Sequence, residues 1–183
     1  MRKKYSFIFL FLIMAMAFFF RFFKLEEIPP GLYPDVAING NDAWHALETK
    51  NFKVFYPENN GREGFFINLI ALSFWLFGKT IWAIKIVPAF LGALTILGLY
   101  LLTKEIFYFV KKEQKEVLSL LASFLTAISF WHVNFSRLGF RAIMVPFCLV
   151  FSLYFLFKGS KITRSPLNCQ KVCWAIVFFI LAG

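Results

Sequence analysis

The segment Phe65–Phe77, FFINLIALSFWLF, decides how the rest of the chain is threaded. At about 1.5 Å per residue a helix of this length reaches roughly 20 Å, short of the roughly 30 Å hydrocarbon core of a bilayer. Beyond Gly78 and Lys79 a longer apolar run, Thr80–Thr103, takes over. If Phe65–Phe77 crossed the membrane, the lysine-rich segment Lys104–Glu116 would lie outside, and so would every second basic loop after it. If it instead lies along the outer surface, three basic clusters share the cytoplasmic side: Arg2, Lys3 and Lys4; Lys104, Lys111, Lys112 and Lys115; and Lys158, Lys161, Arg164 and Lys171. Both its length and the excess of Lys and Arg in cytoplasmic loops select the surface placement.

Upstream of this segment, Tyr5–Phe23 is almost unbroken apolar sequence and would extend roughly 28 Å as a helix. It runs into FFFRFFKLEE rather than into small residues, so it reads as an uncleaved first span with a cytoplasmic amino end, not as a signal peptide. The expected order is a span over 5–23 and an outer loop over 24–79, which carries surface helices over about 35–48 and 65–77. Spans over 80–109, 117–135 and 141–157 follow, and a fifth begins at 172–183. That last run is too short to cross, which predicts that the chain is a fragment or a prematurely ended frame of something longer. The expected fold class is therefore an all-α polytopic membrane protein, with four spans and the start of a fifth.

Composition agrees with this threading. Hydrophobic residues make up 60% of the 183 and charged residues 16%, a balance that one soluble core cannot hide. The net charge of +10 sits between apolar runs, where it sets topology, so nucleic-acid binding is rejected. Cys148, Cys169 and Cys173 are an odd number and make no disulfide framework. Cys169 and Cys173 share a helical spacing, but two thiols without a clustered His or acid make a poor metal site.

Five of the ten carboxylates fall between Pro29 and Phe66, in the long polar interruption of the chain. Pro34 and Asp35 suit a first helical turn, where an acid meets the positive end of the helix dipole. Asp35, Asn39 and Asp42 then share a stripe, either a solvated surface or a carboxylate held at the membrane boundary as a general base; periodicity alone favours the solvated surface. Asn59-Asn60-Gly61 is a turn signature, followed by Arg62 and Glu63 at the start of the Phe65–Phe77 helix. A third polar group, Trp131, His132, Ser136, Arg137 and Arg141, interrupts the apolar sequence between the third and fourth spans. Arginines at that depth either snorkel to lipid phosphate or clamp a phosphate ligand with their bidentate fork. His132 alone is weak evidence for catalysis, and the sequon Asn134-Phe135-Ser136 lies too close to the membrane to be glycosylated. Lys85, near the outer end of the second span, either snorkels or adds positive potential to the same outer region.

RFFKLEEIPPGLYPDVAINGNDAWHAL after the first span, FYPENNGREGFFINLIALSFWLFGKT, AIKIVPAFLGALT and SFWHVNFSRLGFRAI together resemble the polytopic glycosyltransferases of the GT-C fold that use polyprenyl-phosphate sugars. Within these the likeness is to the protein-mannosyltransferase and aminoarabinose-transferase group. The resemblance implies a long first outer loop carrying juxtamembrane helices, with an essential acid near its start, in the place of Asp35. A second acid often follows in that family, where this chain has Val36. Gly64 stands where the family often has Pro after its charged pair, so Glu63 matches with less support.

The implied reaction is inverting transfer of a sugar from a polyprenyl phosphate to an acceptor hydroxyl of a protein or glycan at the outer face of the cell membrane. Asp35 would act as the base and Glu63 as a second acid at the site. Arg137, Arg141, Arg62 and His132 would face the donor phosphate, and Asn39 and Asp42 would support the site. No nucleotide sugar is implied, and no ligand cluster demands a metal, although a divalent ion stays open. The alternative is a non-catalytic membrane accessory protein or an inactive fragment of such an enzyme. A transporter finds little support, since apart from Lys85 the spans carry few ionisable residues.

Overall fold

The computed structural model describes residues 3–160, with side chains from Tyr5 to Lys158. The expected start of a fifth span, Cys169, Cys173 and the basic residues Lys161, Arg164 and Lys171 lie outside the described residues. Helix α1 (Lys3–Phe22) leads through a turn-rich segment to α2 (Pro34–Thr49). A hairpin of two very short antiparallel strands, β1 (Phe55–Tyr56) and β2 (Arg62–Glu63), runs directly into α3 (Gly64–Phe77). Then come α4 (Ile81–Ile106), α5 (Lys112–Ile128), α6 (Phe130–Leu138), a 3-10 turn at Arg141–Ile143, and α7 (Met144–Ser160). Three helical stretches, Tyr5–Phe22, Ile81–Ile106 and Arg141–Lys158, are long and apolar enough to cross a membrane, and the α5–α6 pair adds a fourth if it is counted as one span. The protein is an all-α polytopic membrane protein.

Helix α4 is the common strut. It packs against α1, α3, α5, α6 and α7, and 61% of its most apolar window is buried, against 22% for α1. In lipid, helices associate through close packing rather than water exclusion, and small residues permit it. A side chain at Gly92 would meet the Ser136 hydroxyl of α6 at 2.1 Å, and one at Gly98 would meet Val150 of α7 at 2.7 Å. The start of α4 is capped by Thr80, whose hydroxyl accepts from the Ala83 amide at 3.0 Å. At its far end Lys104 pairs with Glu116 of α5 at 2.9 Å.

Helix α3 is two-faced. Phe66, Ile67, Ile70, Ala71 and Phe74 are buried, whereas Phe65, Leu72, Trp75 and Leu76 are exposed. Its inner face joins Val36, Ala43 and Ala46 of α2, Ala83, Ile84 and Leu91 of α4, and Ile143, Met144 and Cys148 in one apolar cluster. A second cluster, Ile13, Ala17, Ile96, Tyr100, Leu120 and Ala127, binds α1, α4 and α5 together lower down. The polar loop is thus folded into a cap of α2, hairpin and α3, set where α1 ends and where α4 and α7 begin. The chain crossing inside this cap is tight: the Gly64 amide donates to the Val54 carbonyl at 2.6 Å, and a Cβ at Gly64 would stand 2.0 Å from the Lys53 carbonyl oxygen.

The expected third span over 117–135 is broken. α5 ends at Ile128, and α6 departs from it by 55° beyond Ser129. Neither Pro nor Gly stands at the break. At the break the Arg21 guanidinium of α1 donates to the Ala127 carbonyl at 3.3 Å, so a distant side chain occupies an acceptor at the end of α5.

Candidate active site cleft

Asp35 lies in the first turn of α2, behind Pro34, and is exposed. Its Oδ1 accepts from Asn59 Nδ2 at 3.1 Å. One turn along, Asn39 is buried, and its Oδ1 accepts from Arg62 Nη1 at 2.7 Å. Arg62 Nη2 donates to Asp42, forming an ion pair, and its Nε donates to the Glu58 carbonyl at 3.2 Å. The stripe read from periodicity therefore divides: Asp35 faces outward, while Asn39 and Asp42 are bound to the hairpin through an arginine only 2% exposed. Removing one partner of such a pair costs about 3–5 kcal/mol where water cannot reach the other.

Arg141, in the turn before α7, donates to Glu63 Oε2 at 2.6 Å, and both side chains are substantially exposed. An exposed pair of this kind contributes about 0–1 kcal/mol and exchanges readily. Asp35, Asn39, Asn59, Arg62, Phe140, Arg141 and Ala142 line one polar cleft of about 150 Å³. The cleft brings a free carboxylate face and an exchangeable guanidinium into the same small space.

Arg137 and His132 are placed elsewhere. Arg137 donates to the carbonyls of Phe20, Phe23 and Ile28, each at 2.7 Å, wrapping the carboxy end of α1. His132 Nδ1 accepts from Arg21 Nη2 at 2.7 Å, which places the ring proton on Nε2 because a guanidinium has no acceptor. Arg21, fully buried, also donates to Ala17 at 3.0 Å. Lys85 is buried and donates to the Pro29 carbonyl at 2.6 Å, fastening the loop after α1 to α4. Ser136, the last residue of the sequon, is buried and donates to the His132 carbonyl at 2.6 Å.

Two features of the cleft were not assigned to it from sequence. Asn59 was legible as a turn residue, but its contact with Asp35 joins positions far apart in the chain. Phe140 and Ala142 line the cleft without any chemical signal of their own. Under the hairpin, Tyr56 donates to Asn68 Oδ1 at 3.1 Å; burial, with Asp42 nearby, raises its phenol above the usual value, opposed by Arg62 and a backbone hydrogen bond. Among the described residues no three His, Cys, Asp or Glu side chains gather as a metal-ligand set.

Residues 65–182 match the family described as dolichyl-phosphate-mannose-protein mannosyltransferase. The chain belongs to that family. It is a membrane glycosyltransferase-family protein of the GT-C type. The matched stretch runs from the second residue of α3 through α7, with His132, Arg137 and Arg141, so Asp35, Arg62 and Glu63 precede it. Comparison with curated proteins and with solved structures gave no match.

Proposed function

We propose that this mannosyltransferase-family protein transfers a sugar from a polyprenyl-phosphate donor to an acceptor hydroxyl, with inversion, in the cleft beneath α2. The observation that carries the reading is the placement of Asp35 and Arg141 on the walls of one cleft, at the end of the bundle where α1 ends and α4 and α7 begin. Asp35 takes the proton of the acceptor hydroxyl as that oxygen bonds to the anomeric carbon. The bond from that carbon to the phosphate oxygen breaks, and the negative charge left on the lipid phosphate is met by Arg141 as it exchanges out of its pair with Glu63. Glu63 is then the counter-charge that holds Arg141 when the phosphate is absent. Arg62 adds positive potential from behind, with three of its N–H donors committed to Asn39, Asp42 and Glu58.

The cleft faces the outer side of the cell membrane, with the amino terminus cytoplasmic. Support comes from Lys104, Lys111, Lys112 and Lys115, at the end of α4 and start of α5 away from the cap. A cysteine at Lys79 reacts with an impermeant reagent added outside; reaction from the cytoplasmic side alone overturns this orientation.

The test of the reaction is transfer from dolichyl-phosphate-mannose by the purified chain and its variants. Asp35→Asn lowers kcat by about 10²–10⁴-fold with an unchanged thermal midpoint. Full transfer by that variant removes Asp35 as the base.

A further inference from the structure

The turn that closes the hairpin is built from residues in an uncommon conformation. Asn59, Asn60 and Gly61 all have positive φ, at 52°, 65° and 82°. The Gly61 amide donates to the Glu58 carbonyl at 3.3 Å, which closes a four-residue turn around Asn59 and Asn60. Both central residues are left-handed, the requirement of a type I′ turn, and Asn, Asp and Gly all satisfy it. Backbone conformation therefore accounts for a small polar residue or glycine at both positions. It does not account for an amide at 59 in particular.

The two asparagines are both exposed but differ in what they touch. Asn59 lines the cleft and donates to Asp35 Oδ1 at 3.1 Å, whereas Asn60 is not part of the cleft wall. Asp35 is exposed at the start of α2, and the short aspartate stem leaves its carboxylate free to rotate into water unless a donor fixes it. The turn carrying that donor is itself anchored, since Arg62 reaches back to the Glu58 carbonyl and forward to Asn39 and Asp42 on α2. Hairpin and helix thus form one unit in which the Asn59 amide is set against Asp35.

We infer that Asn59 is a positioning residue for the proposed base: its amide occupies Oδ1 of Asp35 and turns Oδ2 toward the acceptor hydroxyl. The inference rests on the reading of Asp35 as the base. In a transfer reaction the base must lie within hydrogen-bond reach of the proton that it removes, and misplacement of about 1 Å costs up to 10²-fold in rate.

Four variants of the full chain, assayed with dolichyl-phosphate-mannose and by thermal denaturation in detergent, test it. Asn59→Gly keeps the left-handed backbone and removes the amide, and Asn59→Asp keeps both shape and backbone preference but replaces the donor with a like charge. Both lower kcat roughly tenfold or more, with the donor KM and the thermal midpoint unchanged. Asn60→Gly, one residue on in the same conformation, retains the parental kcat. Asp35→Asn separates the two levels of the reading. If Asp35→Asn is inactive while Asn59→Gly and Asn59→Asp keep the parental kcat, the positioning role falls and the base survives. If Asp35→Asn is fully active, the base reading falls, and the role of Asn59 falls with it.

Discussion

Two groups of arginines occupy the same end of this molecule and are held in opposite ways. Arg21 and Arg137 lie between α1 and the α5–α6 break, and apart from the His132 ring their partners are main-chain carbonyls. The arrangement is reciprocal: Arg21 of α1 reaches the end of α5, and Arg137 of α6 wraps the end of α1. Arg62 and Arg141 lie in the cleft and donate chiefly to side chains, Arg62 to Asn39 and Asp42 and Arg141 to Glu63. A carbonyl at a helix end cannot leave, so a guanidinium bound there acts as a C-terminal cap. A carboxylate on an exposed side chain can rotate away, so a guanidinium bound to it remains available to another anion. Residue type alone does not separate these roles, because all four are arginines at one end of the helical bundle.

The contrast can be tested in order of expected size. Arg137→Leu leaves the carbonyls of Phe20, Phe23 and Ile28 without that donor, a loss of about 3 kcal/mol at roughly 1 kcal/mol for each of these partly buried acceptors. Its thermal midpoint in detergent falls by about 10 °C, and an unmoved midpoint would return Arg137 to the exchangeable class. Arg62→Met strands the partly buried Asp42 and costs about 2–3 kcal/mol, which the double replacement with Asp42→Leu recovers only in part, because the buried Asn39 oxygen and the Glu58 carbonyl still lack their donor. Complete recovery in denaturant titrations would mean that the bonds from Arg62 to Asn39 and Glu58 add nothing to stability.

At the exchangeable extreme, Arg141→Gln changes stability by no more than about 0.5 kcal/mol yet raises the donor KM about tenfold. Equal donor KM values for variant and parent would place Arg141 outside phosphate binding. The smallest effect concerns Tyr56, which favours its neutral form in the folded protein. A folded value above the unfolded one means that its stabilisation is complete below about pH 10 and is lost as pH rises through the raised value. Tyr56→Phe costs about 1 kcal/mol at neutral pH and flattens the alkaline part of the stability profile, read as the midpoint between pH 9 and 11.

Much of the fold class was legible because its signals are local. A run such as Tyr5–Phe22 announces a membrane helix by its length and apolarity alone. The break at Ser129 was not legible, since the sequence there has no Pro or Gly and the group engaging the end of α5 is Arg21, more than a hundred residues away. The site shows the same division. Asp35, Asn39 and Asp42 could be grouped from helical spacing, and Arg62 and Glu63 from their position before α3. That Asn39 and Asp42 would be taken by Arg62, leaving Asp35 to Asn59, depends on how the hairpin folds over α2. Arg137 and Arg141 read as a pair four residues apart, but the turn at Gly139, with φ at 94° and packed on Val36, sends one to α1 and the other to the cleft.

The crossing at Gly64 limits which sequences can occupy this cap. Proline, the residue that often follows the charged pair in the family this chain resembles, would lack the amide that bonds Val54 and would meet the Lys53 carbonyl. Glycine at 64 and the route of the chain through Lys53 and Val54 therefore form a matched set in this protein. A library intended to alter the cleft should vary positions around Asn59 and Phe140 and keep residue 64 fixed.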